Sequence, residues 1–210
     1  MILPMQKTKL RMLEIVYRKW PIPVSKLFKE AKASPQAGYR YLKELLDAGI
    51  ILEKLEGKKP VLRYILPNLK NKEAISVFSL MEADREKDFF NNNKELKGPF
   101  EQLKTELENI EATAAIFGSF ARGSETKDSD LDILFILKDK KEKRKIDSAC
   151  EKSFVTLKNR ASARILTYTE FITLKRKGDS FIAGIIKDHI CIYNQTKFVE
   201  LLGIEVPDEM

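Results

Sequence analysis

ATAAIFGSFARGSETKDSDLDILFIL, residues 112–137, decides how the C-terminal half of this chain is read. Residues 112–117 are an apolar run of strand length, and residues 131–137 alternate before becoming continuously apolar, as a buried strand does. Between them stand a small-residue turn, one arginine and a polar loop. The pattern predicts strand, tight turn, short helix, loop, strand. Gly118 permits a sharp turn and leaves room for a phosphate to come close. Ser119 falls near a helix N-terminus, where its hydroxyl and free N–H groups can hold a phosphate oxygen. Ala121 lets that helix approach the sheet, Gly123 ends it, and Arg122 stands where a guanidinium can meet a phosphate or a carboxylate.

Side chains alternate along a strand, so Asp130 and Asp132 are expected on one face, with Leu131 and Ile133 on the other. Adjacent carboxylates repel one another, and a cation between them removes that cost. Hard oxygen donors with open positions suit Mg²⁺ (or Mn²⁺) and the phosphates of a nucleotide. These residue types therefore suggest phosphoryl or nucleotidyl transfer, in which positioning and charge neutralisation supply most of the catalysis. The plainer alternative is an exposed acidic loop end that caps the strand.

The run G-S-F-A-R-G, five residues, then S-D-L-D-I resembles the signature of nucleotidyltransferases of the DNA polymerase β superfamily, especially the small minimal type. The resemblance covers about residues 100–200. It implies a nucleotidyltransferase-fold α/β domain with a mixed sheet. Gly118 and Ser119 would bind the triphosphate, with Arg122 beside them, and Asp130 and Asp132 would be the catalytic, metal-binding pair. The implied reaction moves a nucleoside monophosphate from an NTP to a hydroxyl of a small molecule, an RNA end or a protein side chain. The family pattern also asks for a third carboxylate on a later strand. The matching strand is expected within residues 162–169, SARILTYT, which contains neither Asp nor Glu but has Arg164 near its start. Asp147, Glu151 and Glu170 are the remaining acids of that neighbourhood. Two readings therefore stay open: a divalent-metal nucleotidyltransferase, or a catalytically degenerate, nucleotide-responsive transcription regulator. The resemblance also brings in a toxin-like partner protein as a third option.

Charge separates the N-terminal third from the rest. Residues 1–70 hold 15 Lys+Arg against 6 Asp+Glu, whereas the remainder holds 23 against 25. A basic segment beside a near-neutral one suggests two domains with different partners, the basic one facing nucleic acid. Apolar spacing predicts helices over residues 9–19 and about 24–32. A third starts at the N-cap Ser34, with Pro35 in the first turn and Gly49 past its end. On this helix Tyr41, Leu42, Leu45 and Ala48 are expected to share the buried face, leaving Gln36, Tyr39, Arg40 and Lys43 outside. Two extended runs follow, 50–55 and 61–66, joined by a turn carrying Lys58 and Lys59. Helix, helix, helix, hairpin resembles a winged helix-turn-helix domain. In that resemblance Gln36, Tyr39, Arg40 and Lys43 enter the DNA groove, while Lys54, Lys58, Lys59 and Arg63 meet phosphates.

The whole is read as an α+β protein with a winged helix-turn-helix at residues 1–68, a helical connector at 69–99 and a nucleotidyltransferase-like domain at 100–210. The connector is expected to hold one helix over about 72–90, interrupted by three asparagines, and to be a candidate for homodimer formation. A new helix is expected at residue 100, after Gly98 and Pro99. A helix from Glu170 through GDSF, a strand at 190–193 and a helix at 197–202 should close the domain, with Phe181, Ile182, Ile185 and Ile186 in the core. Residues 139–145, DKKEKRK, read as a solvated loop. With 43% hydrophobic residues a packed core is feasible, and no apolar run reaches the roughly 20 residues needed to span a bilayer. The first residues do not read as a secretory signal, and two distant cysteines suit free thiols in a cytoplasmic protein. One histidine, His189, and no cysteine cluster argue against zinc.

Overall fold

The computed structural model describes residues 6–155 and 161–204. The chain divides into two compact units, Met1–Met81 and Glu82–Met210.

The first unit begins with helix α1 (Lys7–Lys19), whose Met12, Leu13, Val16 and Tyr17 form one buried stripe. A two-residue strand β1 (Ile22–Pro23) leads into α2 (Val24–Ala31). Helix α3 (Pro35–Asp47) starts where its signals place it. The Ser34 hydroxyl accepts from the Ala37 N–H at 3.3 Å, and Pro35 occupies the first turn. The chain leaves α3 through Gly49 at φ +66°, and β2 (Ile51–Glu56) and β3 (Leu62–Pro67) form an antiparallel hairpin. Strand β1 adds to β3, giving the order β1-β3-β2. The expected inner face of α3 needs one correction. Tyr41, Leu42 and Leu45 are buried, but Ala48 is exposed and Gly38 takes the fourth buried place. Residue 48 is the C-cap, where the helix has already turned away from the core. Tyr17 stacks on Phe78 of α4 (Lys72–Asn92), with ring centroids 4.8 Å apart.

The second unit takes the remainder of α4 and then α5 (Lys94–Leu107). The expected helix start at residue 100 is overturned, because Gly98 and Pro99 lie inside α5. Leu96, Phe100, Leu103 and Leu107 make one continuous buried stripe at spacings of four, three and four. That stripe outweighs the hydrogen bond the proline removes. A four-stranded sheet follows in the order β6-β5-β4-β7. Strand β4 (Ala112–Phe117) runs antiparallel to both β5 (Leu131–Leu137) and β7 (Ile190–Tyr193), and β6 (Ala161–Thr167) runs parallel to β5 at the edge.

The two faces of β5 are sorted by parity. Leu131, Ile133, Phe135 and Leu137 belong to the core that contains α5 and, through Ile146 and Ala149, α7 (Lys143–Ser153). The opposite parity, which includes Asp132 and Leu134, faces the side of α8 (Tyr168–Arg176), α9 (Ser180–Lys187) and α10 (Gln195–Gly203). The expected loop at 139–145 is instead a 3-10 turn (Lys140–Glu142) running into α7, although its basic side chains are exposed. The single helix expected from Glu170 through GDSF is two, broken at Gly178 (φ +66°), with Asp179 capping α9 by accepting from the Phe181 and Ile182 N–H groups. Of the four apolar positions expected in the core there, Ile182 and Ile185 are buried, while Phe181 and Ile186 are half-buried.

A buried ionic cluster joins α4 to β7 within this unit. The Glu82 carboxylate, fully buried, lies 3.0 Å from His189 Nε2, 2.8 Å from Arg85 Nη1 and 3.2 Å from the Cys191 N–H. Burial alone would raise the Glu82 pKa, but His189, Arg85 and the Cys191 N–H outweigh it and hold the carboxyl at about 2. His189 is thus a structural group locked between that carboxylate and the Ile185 and Ile186 carbonyls.

Candidate functional site

Gly118 opens α6 (Gly118–Arg122) at φ +74°, directly after β4. A Cβ built there would lie 2.5 Å from Asp132 Oδ2. Glycine is therefore required twice, for the backbone angle and for the close approach of that carboxylate. Helix α6 ends at Gly123 (φ +64°), where the Gly123 N–H reaches Phe120 O and the Ser124 N–H reaches Ser119 O. Ser119 and Ala121 are half-buried, Ala121 packing on the core, and Arg122 is exposed. The polar loop is pinned by Ser129, whose Oγ accepts from the Thr126 N–H at 2.8 Å.

Asp130 precedes β5 and is exposed, whereas Asp132 is in the strand and half-buried. The Asp132 carboxyl is pushed above its ordinary range, first by burial and then by the Asp130 charge. A hydrogen bond from Ser162 and the charge of Arg122 act in the opposite direction. The Asp130 charge therefore bears on Asp132, the acid set in the sheet. Two carboxylates with open positions are the kind of hard oxygen donor a divalent cation accepts. Among the described residues, no group of three or more His, Cys, Asp or Glu is placed to hold a metal ion.

The sheet register explains what flanks the pair. Asp132 is opposite Phe117 on β4 and opposite Ser162 on β6. The β6 residue in register with Asp132 is thus a serine, not an acid. Two residues on, Arg164 is in register with Leu134, and its guanidinium lies 5.1 Å from the Phe181 ring. Phe181 in turn meets Phe117 edge-on at 5.4 Å. None of the three remaining candidate acids substitutes. Asp147 and Glu151 are exposed on α7, which packs on the other face of the sheet. Glu170 sits past the far end of β6, closing a capping box with Thr167 and pairing with Lys140 at 3.2 Å. Arg164 was visible in the sequence; its stacking on Phe181 and the Ser162–Asp132 pairing were not, because strand register is a tertiary fact.

In the first unit Gln36, Tyr39, Arg40 and Lys43 are all exposed on α3, and Lys58 and Lys59 are exposed in the β2–β3 turn. Tyr39 is 52% exposed although its ring meets Phe28 edge-on at 5.0 Å, so it is held while displayed. The Arg40 guanidinium lies 4.9 Å over the Tyr41 ring. Lys54 and Arg63 are tied down: Lys54 pairs with Glu56 at 2.7 Å and Arg63 with Glu53.

Residues 101–198 match the family model described as polymerase beta, nucleotidyltransferase. With the mixed sheet, this match supports a nucleotidyltransferase domain of the DNA polymerase β type in that part of the chain. No curated protein and no solved structure matches the chain. No helix among the described residues is long and apolar enough to cross a membrane.

Proposed function

We propose that the second unit binds a nucleoside triphosphate with a divalent metal, Mg²⁺ or Mn²⁺, and transfers the nucleoside monophosphate to a hydroxyl acceptor. The observation that carries this reading is the 2.5 Å approach a Gly118 Cβ would make to Asp132, which brings the glycine turn against one of the two acids. Gly118 and Ser119 would receive the triphosphate, Arg122 would neutralise it, and Asp130 and Asp132 would hold the metal. The metal, when bound, supplies charge neutralisation at the phosphates. The acceptor oxygen bonds to the α-phosphorus as the bond to the bridging oxygen breaks. Pyrophosphate leaves with that electron pair, and the hydroxyl proton passes to water.

A second reading is favoured by Ser162 beside Asp132. With no third carboxylate among the described residues to activate an acceptor, the site would serve as a nucleotide sensor for a DNA-binding regulator in the cytoplasm. In both readings the first unit is a winged helix-turn-helix that docks α3 in a DNA groove through Gln36, Tyr39, Arg40 and Lys43. Lys58 and Lys59 would then contact phosphates.

Incubation with Mg²⁺ and each labelled NTP, alone and with RNA or protein acceptors, tests the first reading. Label on an acceptor, abolished in Asp132→Ala, supports transfer. NTP binding without transfer, with NTP altering DNA affinity, supports the sensor. Failure of any NTP to bind refutes both. DNA affinity that does not change with salt would refute the phosphate contacts of the first unit.

A further inference from the structure

The order β6-β5-β4 places Asp132 between two unlike flanks. On one side is β4 and the Gly118 turn; on the other is β6 with Ser162 and Arg164. In phosphoryl transfer the attacking and leaving oxygens stand roughly in line across the phosphorus. If the turn grips the leaving pyrophosphate, the acceptor enters over β6. What β6 presents there is an exposed cation. Arg164 makes no ion pair among the described residues, and its guanidinium is steadied 5.1 Å from the Phe181 ring, itself set against Phe117 at 5.4 Å. A guanidinium steadied on a ring keeps its N–H edge free for bidentate hydrogen bonds to a phosphate.

We propose that Arg164 is the specificity-determining residue for the acceptor, and that the acceptor is anionic: a nucleotide chain whose phosphodiester lies beside the attacking hydroxyl. This rests on the nucleotidyl-transfer site proposed above and names the substrate class it takes. The same cation disfavours amino sugars and other cationic acceptors by like-charge repulsion. The half-buried Phe117–Phe181 pair offers a ring surface for the acceptor base, since every base has a π-face to stack.

The test uses the full chain and a dinucleoside monophosphate, which carries one phosphodiester and is too short to span a winged-helix footprint. Its binding is followed by NMR through the Arg164 Nε–H resonance, with Mg²⁺ and a non-hydrolysable NTP analogue present. The expected result is a saturable shift of that resonance with the dinucleotide and little shift with the uncharged nucleoside. Affinity for the dinucleotide should fall about tenfold in Arg164→Ala and recover partly in Arg164→Lys, the size expected for a charged hydrogen bond. Affinity for the NTP analogue should be unchanged in both variants. Equal binding of nucleoside and dinucleotide, or an unaltered dinucleotide affinity in Arg164→Ala, overturns the proposal. A loss of NTP affinity alone would assign Arg164 to the triphosphate and also overturn it. Absence of NTP binding in the unaltered chain counts against the transfer site itself, while the dinucleotide titration still decides the role of Arg164.

Discussion

Gly118→Ala tests the geometry of the site without removing a charged group. Two costs can be worked out. The backbone is at φ +74°, where an L-residue other than glycine loses about 1–2 kcal/mol. The new Cβ would stand 2.5 Å from Asp132 Oδ2, so that carboxylate must swing away, off its rotamer, for about 1 kcal/mol more. The sum, about 2–3 kcal/mol, should lower the melting temperature of the second unit by roughly 10 °C in calorimetry. A double-mutant cycle with Asp132→Ala separates the terms. With the carboxylate removed, the nearest remaining atom of residue 132 is its Cβ at 3.6 Å, an ordinary contact. Gly118→Ala should then cost only the backbone share, leaving a coupling of about 1 kcal/mol. An equal cost in both backgrounds would refute the close approach of turn and carboxylate. No cost in either would refute the left-handed conformation as well.

The buried cluster sets an acid limit. The folded Glu82 carboxyl titrates near 2 rather than near its ordinary value of 4.5, a depressed carboxylate. Its contribution is present in full above the unfolded pKa and is lost as pH falls from about 4.5 toward 2, of order 3 kcal/mol in total. Glu82→Gln should lose stability by a similar or larger amount at neutral pH, because His189 and Arg85 lose their carboxylate, and should flatten the pH profile of urea denaturation in that window. An unchanged profile would dismiss the cluster. In the first unit, Gly38→Ala should be destabilising by about 1 kcal/mol, although alanine normally favours a helix. Its Cβ would lie 2.9 Å from three carbons of the Phe28 ring, and overpacking outweighs the propensity gain. Trp20 fluorescence in urea reads this unit, and in a Phe28→Leu background the substitution should become neutral or stabilising.

Local chemistry made much of this protein legible in its sequence. Ser34, Pro35 and Gly49 bracket α3 because caps and left-handed turns depend on neighbouring residues only. The segment from β4 to β5 was readable for the same reason: a strand, a glycine turn, one helical turn and a second strand are each specified by adjacent residues. Punctuation residues misled where a longer pattern overruled them, as at Pro99, which the Leu96–Leu107 stripe carries inside α5. Register and face pairing lay beyond the sequence. That Ser162, rather than an acid, stands beside Asp132, that Arg164 rests on Phe181, and that His189 meets Glu82 all join residues from separate elements. The sequence by itself determined the elements, the glycine turn and the acidic pair, since these arise from backbone preferences over a few residues. Only the tertiary structure decided what faces that pair, because a strand's partner and register are chosen by burying whole faces of a sheet.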